Sequence, residues 1–270
     1  MCGISLFFAR ESIPDINVFD ILFTGSEQRG ADGFGIAICD RFTKTAKTYY
    51  SVKKYSECKD DALRFVKETF KFGNILIQIS RATPETESSS TLSNLQPIYN
   101  NNCVLAHNGD VSNNIHVEMM KWAKECGQYT FNTKIDSESI LAAYFKHGKN
   151  IKDCMEYVSG GFATIMYDLD KNRLYAISDF KPLAHCYIRG IGYFLHSSND
   201  VLTEVLKEIR NITRDGMNMW EDWYHHYLDG NHILEIDIDS GFMTNIPYSP
   251  RYIIGSQWDS NYDKTGNKKV

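Results

Sequence analysis

Short apolar runs separated by segments with helical spacing are the feature that most constrains the fold. Runs rich in Ile, Leu and Phe at 2–8, 34–40, 74–80 and 103–107 predict buried β-strands. Helical spacing follows or precedes them at 15–28, 59–71, 116–126, 137–147 and 151–158. No run approaches the roughly 20 apolar residues of a membrane span. The pattern therefore predicts one mixed α/β domain with no segment inside a membrane.

The second half of the chain is predicted to be rich in strands. A strand at 45–52 precedes it, and two hairpins are predicted at 162–179 and 186–198. A helix at 200–210 and a strand at 232–238 complete the predicted elements. The polar, Ser- and Thr-rich stretch 82–95 is expected to be a mobile surface loop.

Charge and cysteine content exclude several classes of partner. The chain has 29 basic and 34 acidic residues, and a net charge of -5 is not the basic footprint that nucleic acid or an anionic membrane selects. Its seven cysteines are odd in number and form no CxxC pair, which argues against a zinc site or a disulfide framework. We expect a cytoplasmic protein with no metal, no cofactor, no nucleic-acid partner and no membrane.

Cys2 is a candidate nucleophile because of its position. A thiol needs a base to form the thiolate, and removal of Met1 would leave an α-amine with a reference pKa of about 7.7–8.0 on the same residue. Gly3 leaves room for a substrate to approach the backbone. The alternative interpretation is that Cys2 is a small apolar residue at the start of a strand.

Four polar motifs lie at predicted strand or helix ends, where loops tend to form sites. They are the segments 29–33 (RGADG), 80–83 (SRAT), 107–110 (HNGD) and 136–138 (DSE). Together they offer the groups that would hold a free amino acid and stabilise a tetrahedral oxyanion. Such a set of groups would be the complement for hydrolysis of the side-chain amide of free glutamine.

Each motif also has a structural interpretation. The Arg81 guanidinium matches a carboxylate, but it could be a structural arginine. Asp136 could accept from a substrate ammonium group, or it could cap the helix that follows. Asn108 and Gly109 could supply two N–H donors to an oxyanion, but Asn-Gly is also the commonest hairpin turn.

The ordered set of motifs resembles the class II, N-terminal-nucleophile type of glutamine amidotransferase. The resemblance covers roughly residues 2–240 and rests on the motifs Met1-Cys2-Gly3-Ile4, RGxDGxG at 29–35, SRxT at 80–83, NLQPIYN at 94–100, LAHNGDVSN at 105–113, DSE at 136–138, SGGFA at 159–163, Asp179 with Lys181-Pro182-Leu183, YFLHSS at 193–198 and LDGNHILEID at 228–237. It implies an α+β fold, a four-layer αββα sandwich.

The resemblance also implies roles for individual residues. Cys2 would be the nucleophile and form a γ-glutamyl thioester, with its own amine as base. Asn108 and Gly109 would form the oxyanion hole. Arg81, together with Thr83, and Asp136 would bind the substrate, L-glutamine. Further site candidates, which lie within the same motifs, are Arg29, Asp32 and His107.

The sequence departs from the family after Arg81, because Arg81-Ala82-Thr83-Pro84 is short and ends in Pro. The loop after Arg81 would be the lid that closes over glutamine. About thirty residues follow position 240, without a synthetase motif. We therefore predict a glutaminase domain at 2–240, a partly disordered C-terminal extension at 241–270, and a separate synthetase that accepts the ammonia.

Two other functions stay open at this stage. One is an N-terminal-nucleophile amidase that acts on another γ-glutamyl or amide substrate. The other is a catalytically silent scaffold for protein interactions.

Overall fold

Two stacked antiparallel sheets form the centre of the molecule, in a computed structural model that describes residues 1–83, 91–212 and 225–250. The strands are β1 Gly3–Ala9, β2 Gly33–Asp40, β3 Thr45–Ser51, β4 Ile75–Arg81, β5 Ile98–Asn100, β6 Cys103–Val111, β7 Gly160–Asp168, β8 Arg173–Asp179, β9 Ala184–Ile188, β10 Gly192–His196, β11 His225–Tyr227, β12 His232–Asp237 and β13 Met243–Pro247. The helices are α1 Ile16–Glu27, α2 Tyr55–Thr69, α3 Asn113–Cys126, α4 Glu138–Lys146, α5 Ile151–Tyr157 and α6 Asn199–Ile212.

The first sheet has the strand order β11-β9-β10-β1-β4-β2-β3, and the second has the order β13-β12-β8-β7-β6-β5. One hydrophobic cluster fills the space between the sheets. Helices α1, α2 and α6 cover the outer face of the first sheet, and helices α3, α4 and α5 cover the second. The predicted αββα sandwich is therefore confirmed.

Strand β1 shows why the apolar runs in this chain are continuous. Ile4, Leu6 and Phe8 point into the space between the sheets, whereas Phe7 packs under the helices. All seven residues of the strand are buried. A strand that is covered on both faces needs apolar side chains at every position, so its sequence does not alternate.

Strand β6 is longer than the sequence predicts. It continues past 107 to Val111, and Asn108 and Gly109 pair with Ala163 and Phe162 of β7. The Asn-Gly pair therefore lies inside a strand and not in a hairpin turn. The prediction missed the extension because the polar sequence after His107 resembles a loop.

Other differences concern short elements and element ends. Helices α2 and α3 begin at Tyr55 and Asn113, earlier than predicted. Strands β5 and β13 were not predicted, since each is short and gains its hydrogen bonds from a neighbouring strand. Strand β13 lies beyond the predicted domain boundary at 240, and that boundary stays a prediction.

Some predictions fall outside the described residues. They concern positions 84–90 of the expected lid and positions 251–270 of the C-terminal extension predicted at 241–270. Within the described residues, none of the helices combines the length and the apolar character needed to cross a bilayer.

Candidate active site

Cys2 joins the two sheets at one end of the sandwich. It directly precedes β1 in the first sheet, and its main-chain N–H donates to Oδ1 of Asn108, in β6 of the second sheet, at 3.0 Å. The Cys2 thiol lies beside Ala82, which directly follows β4, and the Ala82 N–H donates to Sγ at 3.4 Å. The nucleophile candidate and one oxyanion candidate are therefore in direct contact.

Asn108 and Gly109, the oxyanion-hole candidates, lie next to each other in a closely packed part of β6. Asn108 is only 1% exposed, and its Nδ2 has no hydrogen-bond partner among the described residues. Such a buried donor is costly unless a ligand uses it. Gly109 has a φ of +142°, and a Cβ there would lie 2.2 Å from the Gly161 carbonyl oxygen. Only glycine fits at this position.

Asp32 holds the chain on both sides of Ala82. Its main-chain N–H donates to the Arg81 carbonyl at 2.8 Å, and its carboxylate accepts from the Thr83 N–H, also at 2.8 Å. Gly30 permits this approach, since a Cβ there would lie 2.6 Å from the main chain of Arg81. The RGxDGxG motif thus positions the segment that carries Arg81 and Thr83.

Arg81 and Arg29 lie near Cys2 on different elements. Arg81 is buried at the end of β4. Arg29 follows α1, and its Nε lies 3.5 Å from the carbonyl oxygen of Cys2. The Nη2 of Arg29 is buried and has no partner among the described residues. Two guanidinium groups therefore make this end of the sandwich favourable for anions.

Asp136 does not cap α4 with its side chain. Its Oδ2 accepts from the main-chain N–H of Val111 at 2.7 Å, and Ser137 is the residue that immediately precedes the helix. This hydrogen bond holds the Asp136 carboxylate at the end of β6, where Val111 lies three residues after Asn108. This contact brings the DSE motif to β6, which carries the oxyanion-hole candidates Asn108 and Gly109 and is called the oxyanion strand below.

His107 points away from Cys2 and toward the helices. Its Nδ1 lies 2.8 Å from the Ser137 hydroxyl, and its ring contacts Phe162. Burial lowers the pKa of His107, so the ring is neutral near pH 7. Among the described residues, its side chain contacts Ser137 and Phe162, so its effect on the site is indirect.

Burial raises the pKa of the Cys2 thiol, and the charge of Asp136 adds to this effect. The Ala82 N–H, the chain's amino terminus and Arg81 act in the opposite direction. With Met1 in place, Cys2 has no α-amine, and the thiol therefore stays protonated near neutral pH. The thiol therefore needs a base beside it before it can act as a nucleophile.

Gln96 and Ser137 were not among the site residues predicted from the sequence. Gln96 is buried and bonds to both main-chain groups of His107 and to the Ser137 hydroxyl. The signal was present in the NLQPIYN motif and in the DSE triplet. Buried polar residues next to apolar strands were the feature that could have identified them.

Comparisons with known proteins show what the chain is similar to. Residues 86–204 match the family described as a glutamine amidotransferase domain. A 7-cyano-7-deazaguanine synthase of Saccharolobus solfataricus is 28% identical over 182 residues, which are 65% of this chain and 37% of that protein. The chain thus spans well under half the length of this curated relative.

Two solved structures have a similar fold. One is the glutamine phosphoribosylpyrophosphate amidotransferase of B. subtilis, with a TM-score of 0.64, 18% identity, and coverage of 92% of this chain and 49% of that one. The other is a glutamine aminotransferase class-II domain protein of Silicibacter pomeroyi, with a TM-score of 0.55, 17% identity, and coverage of 93% and 100%. The chain therefore has the class II, N-terminal-nucleophile fold of these structures, and its residues 86–204 match the glutamine amidotransferase domain.

Proposed function

We propose that this protein hydrolyses the side-chain amide of glutamine through a γ-glutamyl thioester on Cys2. The observation that carries the proposal is the contact between Cys2 and Asn108, whose buried Nδ2 has no partner among the described residues. An amide hydrolase needs a nucleophile beside a donor of this kind. The match of residues 86–204 to a glutamine amidotransferase domain supports the same reaction.

The reaction begins with the removal of Met1. Met1 is 66% exposed, so an aminopeptidase can reach it, and its removal turns the Cys2 nitrogen into a free amine. The neutral amine takes the thiol proton, and the thiolate sulfur bonds to the amide carbon of glutamine. Asn108 Nδ2 and the Gly109 N–H stabilise the resulting oxyanion.

The two products leave in separate steps. The C–N bond breaks, and the nitrogen takes the proton from the Cys2 ammonium group and leaves as ammonia. Water then attacks the thioester carbon while the amine accepts a water proton. The C–S bond breaks, glutamate leaves, and the thiol regains its proton.

Charge at the site suits a free amino acid. Arg81 would bind the α-carboxylate, and Asp136 would accept from the α-ammonium group. Thr83 would contact the substrate from the segment that Asp32 holds. An amidase for a substrate without free amino-acid ends would need no such pair of opposite charges, so the pair favours substrates with a free α-carboxylate and α-ammonium group, such as glutamine.

We further propose that the ammonia passes to a synthetase on a separate chain. The relatives that support the family have different names, 7-cyano-7-deazaguanine synthase and amidophosphoribosyltransferase among them, and they do not agree on an acceptor. The proposal therefore identifies the acceptor only as an enzyme that uses ammonia.

The seven cysteines are all free, which suits a reducing cytoplasm.

The test combines intact mass, labelling by 6-diazo-5-oxo-norleucine and glutamate release from glutamine. We expect loss of Met1, one adduct on Cys2, and glutamate release that Cys2→Ala abolishes. Cys126→Ala is the matched control, because Cys126 is also a free, partly exposed thiol. A form with an uncleavable N-terminal tag should lack activity, since it has no free amine at Cys2.

Other outcomes would support the alternatives. A processed protein that releases ammonia from another amide but not from glutamine would favour an amidase of different specificity. A protein that keeps Met1 and whose Cys2 stays unlabelled would favour a non-catalytic scaffold.

A further inference from the structure

The side chain of Gln96 completes the hydrogen bonding of the oxyanion strand. Strand β5 pairs with β6 only over residues 103–105, so the edge of β6 continues past its neighbour. At His107, the Gln96 amide takes the place of a neighbouring strand. Its Oε1 accepts from the His107 N–H at 2.7 Å, and its Nε2 donates to the His107 carbonyl at 3.3 Å.

The same amide reaches the loop that carries Asp136. Nε2 also donates to the Ser137 hydroxyl at 3.2 Å, and that hydroxyl lies 2.8 Å from His107 Nδ1. Ser137 directly follows Asp136, and Asn108 directly follows His107. The buried Gln96 amide therefore links His107 to Ser137. His107 is the neighbour of the proposed oxyanion donor Asn108, and Ser137 is the neighbour of the proposed substrate-binding residue Asp136.

The main chain of Gln96 is fixed independently of its side chain. Its carbonyl oxygen packs against Gly35 of β2, where a Cβ would lie only 1.9 Å away. Gln96 thus contacts both sheets, with its backbone on the first and its side chain on the second. A residue held at both ends has little freedom to move, which suits a positioning role.

We propose that Gln96 is a positioning residue for glutamine hydrolysis, which aligns Asn108 through His107 and Asp136 through Ser137. This inference rests on the proposed function. It does not require Gln96 to touch the substrate. Its effect is expected on turnover at the thioester-forming step, where the oxyanion donors act.

The main test compares Gln96→Met with the unchanged protein. Methionine keeps the length of the side chain and removes all three hydrogen bonds. We expect kcat per site titrated with 6-diazo-5-oxo-norleucine to fall about 10-fold or more, because displaced oxyanion donors act only in the transition state. The rate of Cys2 alkylation by iodoacetamide should stay within about 2-fold, since that reaction needs no oxyanion hole.

Two controls keep the test decisive. Gln128→Met changes an exposed glutamine and should leave kcat unchanged. If Gln96→Met does not fold, Ser137→Ala and Ser137→Thr remove and retain the hydroxyl that Gln96 contacts. Loss of turnover in the alanine variant with recovery in the threonine variant would then support the inference.

Two results would overturn it. An active wild-type protein whose Gln96→Met variant has the same kcat per titrated site would exclude the positioning role and leave the proposed function intact. A wild-type protein that does not hydrolyse glutamine would overturn both.

Discussion

The main-chain nitrogen of Cys2 lies 3.0 Å from Oδ1 of Asn108, and this contact orients the Asn108 amide. Because Oδ1 faces the Cys2 nitrogen, Nδ2 is the group left for another partner. When Met1 is removed, the same nitrogen becomes the α-amine. One asparagine side chain would then hold the base with its oxygen and stabilise the oxyanion with its nitrogen.

Asn108→Asp separates these two roles. Aspartate keeps an oxygen that accepts from the Cys2 nitrogen but has no N–H donor, and its charge repels an oxyanion. We expect kcat for glutamate release to fall by about 100-fold or more, as for the loss of an oxyanion donor in other enzymes. Steady-state kinetics on protein with Met1 removed provides the measurement.

Asn114→Asp is the matched control, because it makes the same change on the exposed first turn of α3. Its kcat should equal that of the unchanged protein. Full activity in Asn108→Asp would show that Nδ2 does not stabilise the transition state.

Substitution of Asp32 tests the hold on the segment after Arg81. Asp32→Ala removes the acceptor for the Thr83 N–H, whereas Asp32→Asn keeps an oxygen there. We expect the KM for glutamine to rise about 5-fold in the alanine variant, which corresponds to about 1 kcal/mol for one hydrogen bond. The asparagine variant should stay near the original KM, and equal KM values in both variants would contradict the role.

The resemblance to the family predicted the layers of the fold, and continuous apolar runs predicted several buried strands, of which β1 is the clearest case. The site was predicted less completely. Cys2, Asn108 and Asp136 were identified from motifs, and the structure brings them together through two hydrogen bonds, Cys2 N to Asn108 Oδ1 and Val111 N to Asp136 Oδ2. Their catalytic roles stay predictions.

The roles of neighbouring residues could not be read from the chain. Glu138 is fully buried and accepts from Asn100, Tyr129, Asn132 and Thr133, so it anchors the loop before α4. Nothing in the letters DSE shows that the third residue supports the loop while the first faces β6. Such a division depends on contacts between residues far apart in sequence.

Gly35 provides a test of the packing between Gln96 and β2. A Cβ at position 35 would lie 1.9 Å from the Gln96 carbonyl oxygen, which is main chain and cannot rotate away. We expect Gly35→Ala to lower the free energy of unfolding by about 2 kcal/mol or more. Urea denaturation measures the change.

Gly230→Ala is the control for this substitution, since a Cβ there would meet no atom within 4 Å. It should change stability by less than about 0.5 kcal/mol. If Gly35→Ala were as stable as Gly230→Ala, the close approach of Gln96 to β2 would be wrong.

His196 should make stability depend on pH. Its ring is buried, with Nε2 at 3.0 Å from the Ser26 hydroxyl and Nδ1 accepting from the Ser198 N–H at 2.8 Å. Burial lowers the pKa of His196 to about 4. The unfolded chain therefore binds a proton below about pH 6.5 that the folded protein does not bind until about pH 4, and stability falls as the pH falls through this window.

The expected size of this effect is about 2 kcal/mol between pH 7 and pH 5. Urea denaturation at the two pH values, on the unchanged protein and on His196→Gln, measures it. Glutamine can bond to Ser26 but does not titrate. The His196→Gln variant should therefore lose less stability between pH 7 and pH 5 than the unchanged protein, by about 2 kcal/mol. His232→Gln, at a partly exposed strand end, should keep the full dependence. An unchanged dependence in His196→Gln would show that another group accounts for the loss of stability in acid.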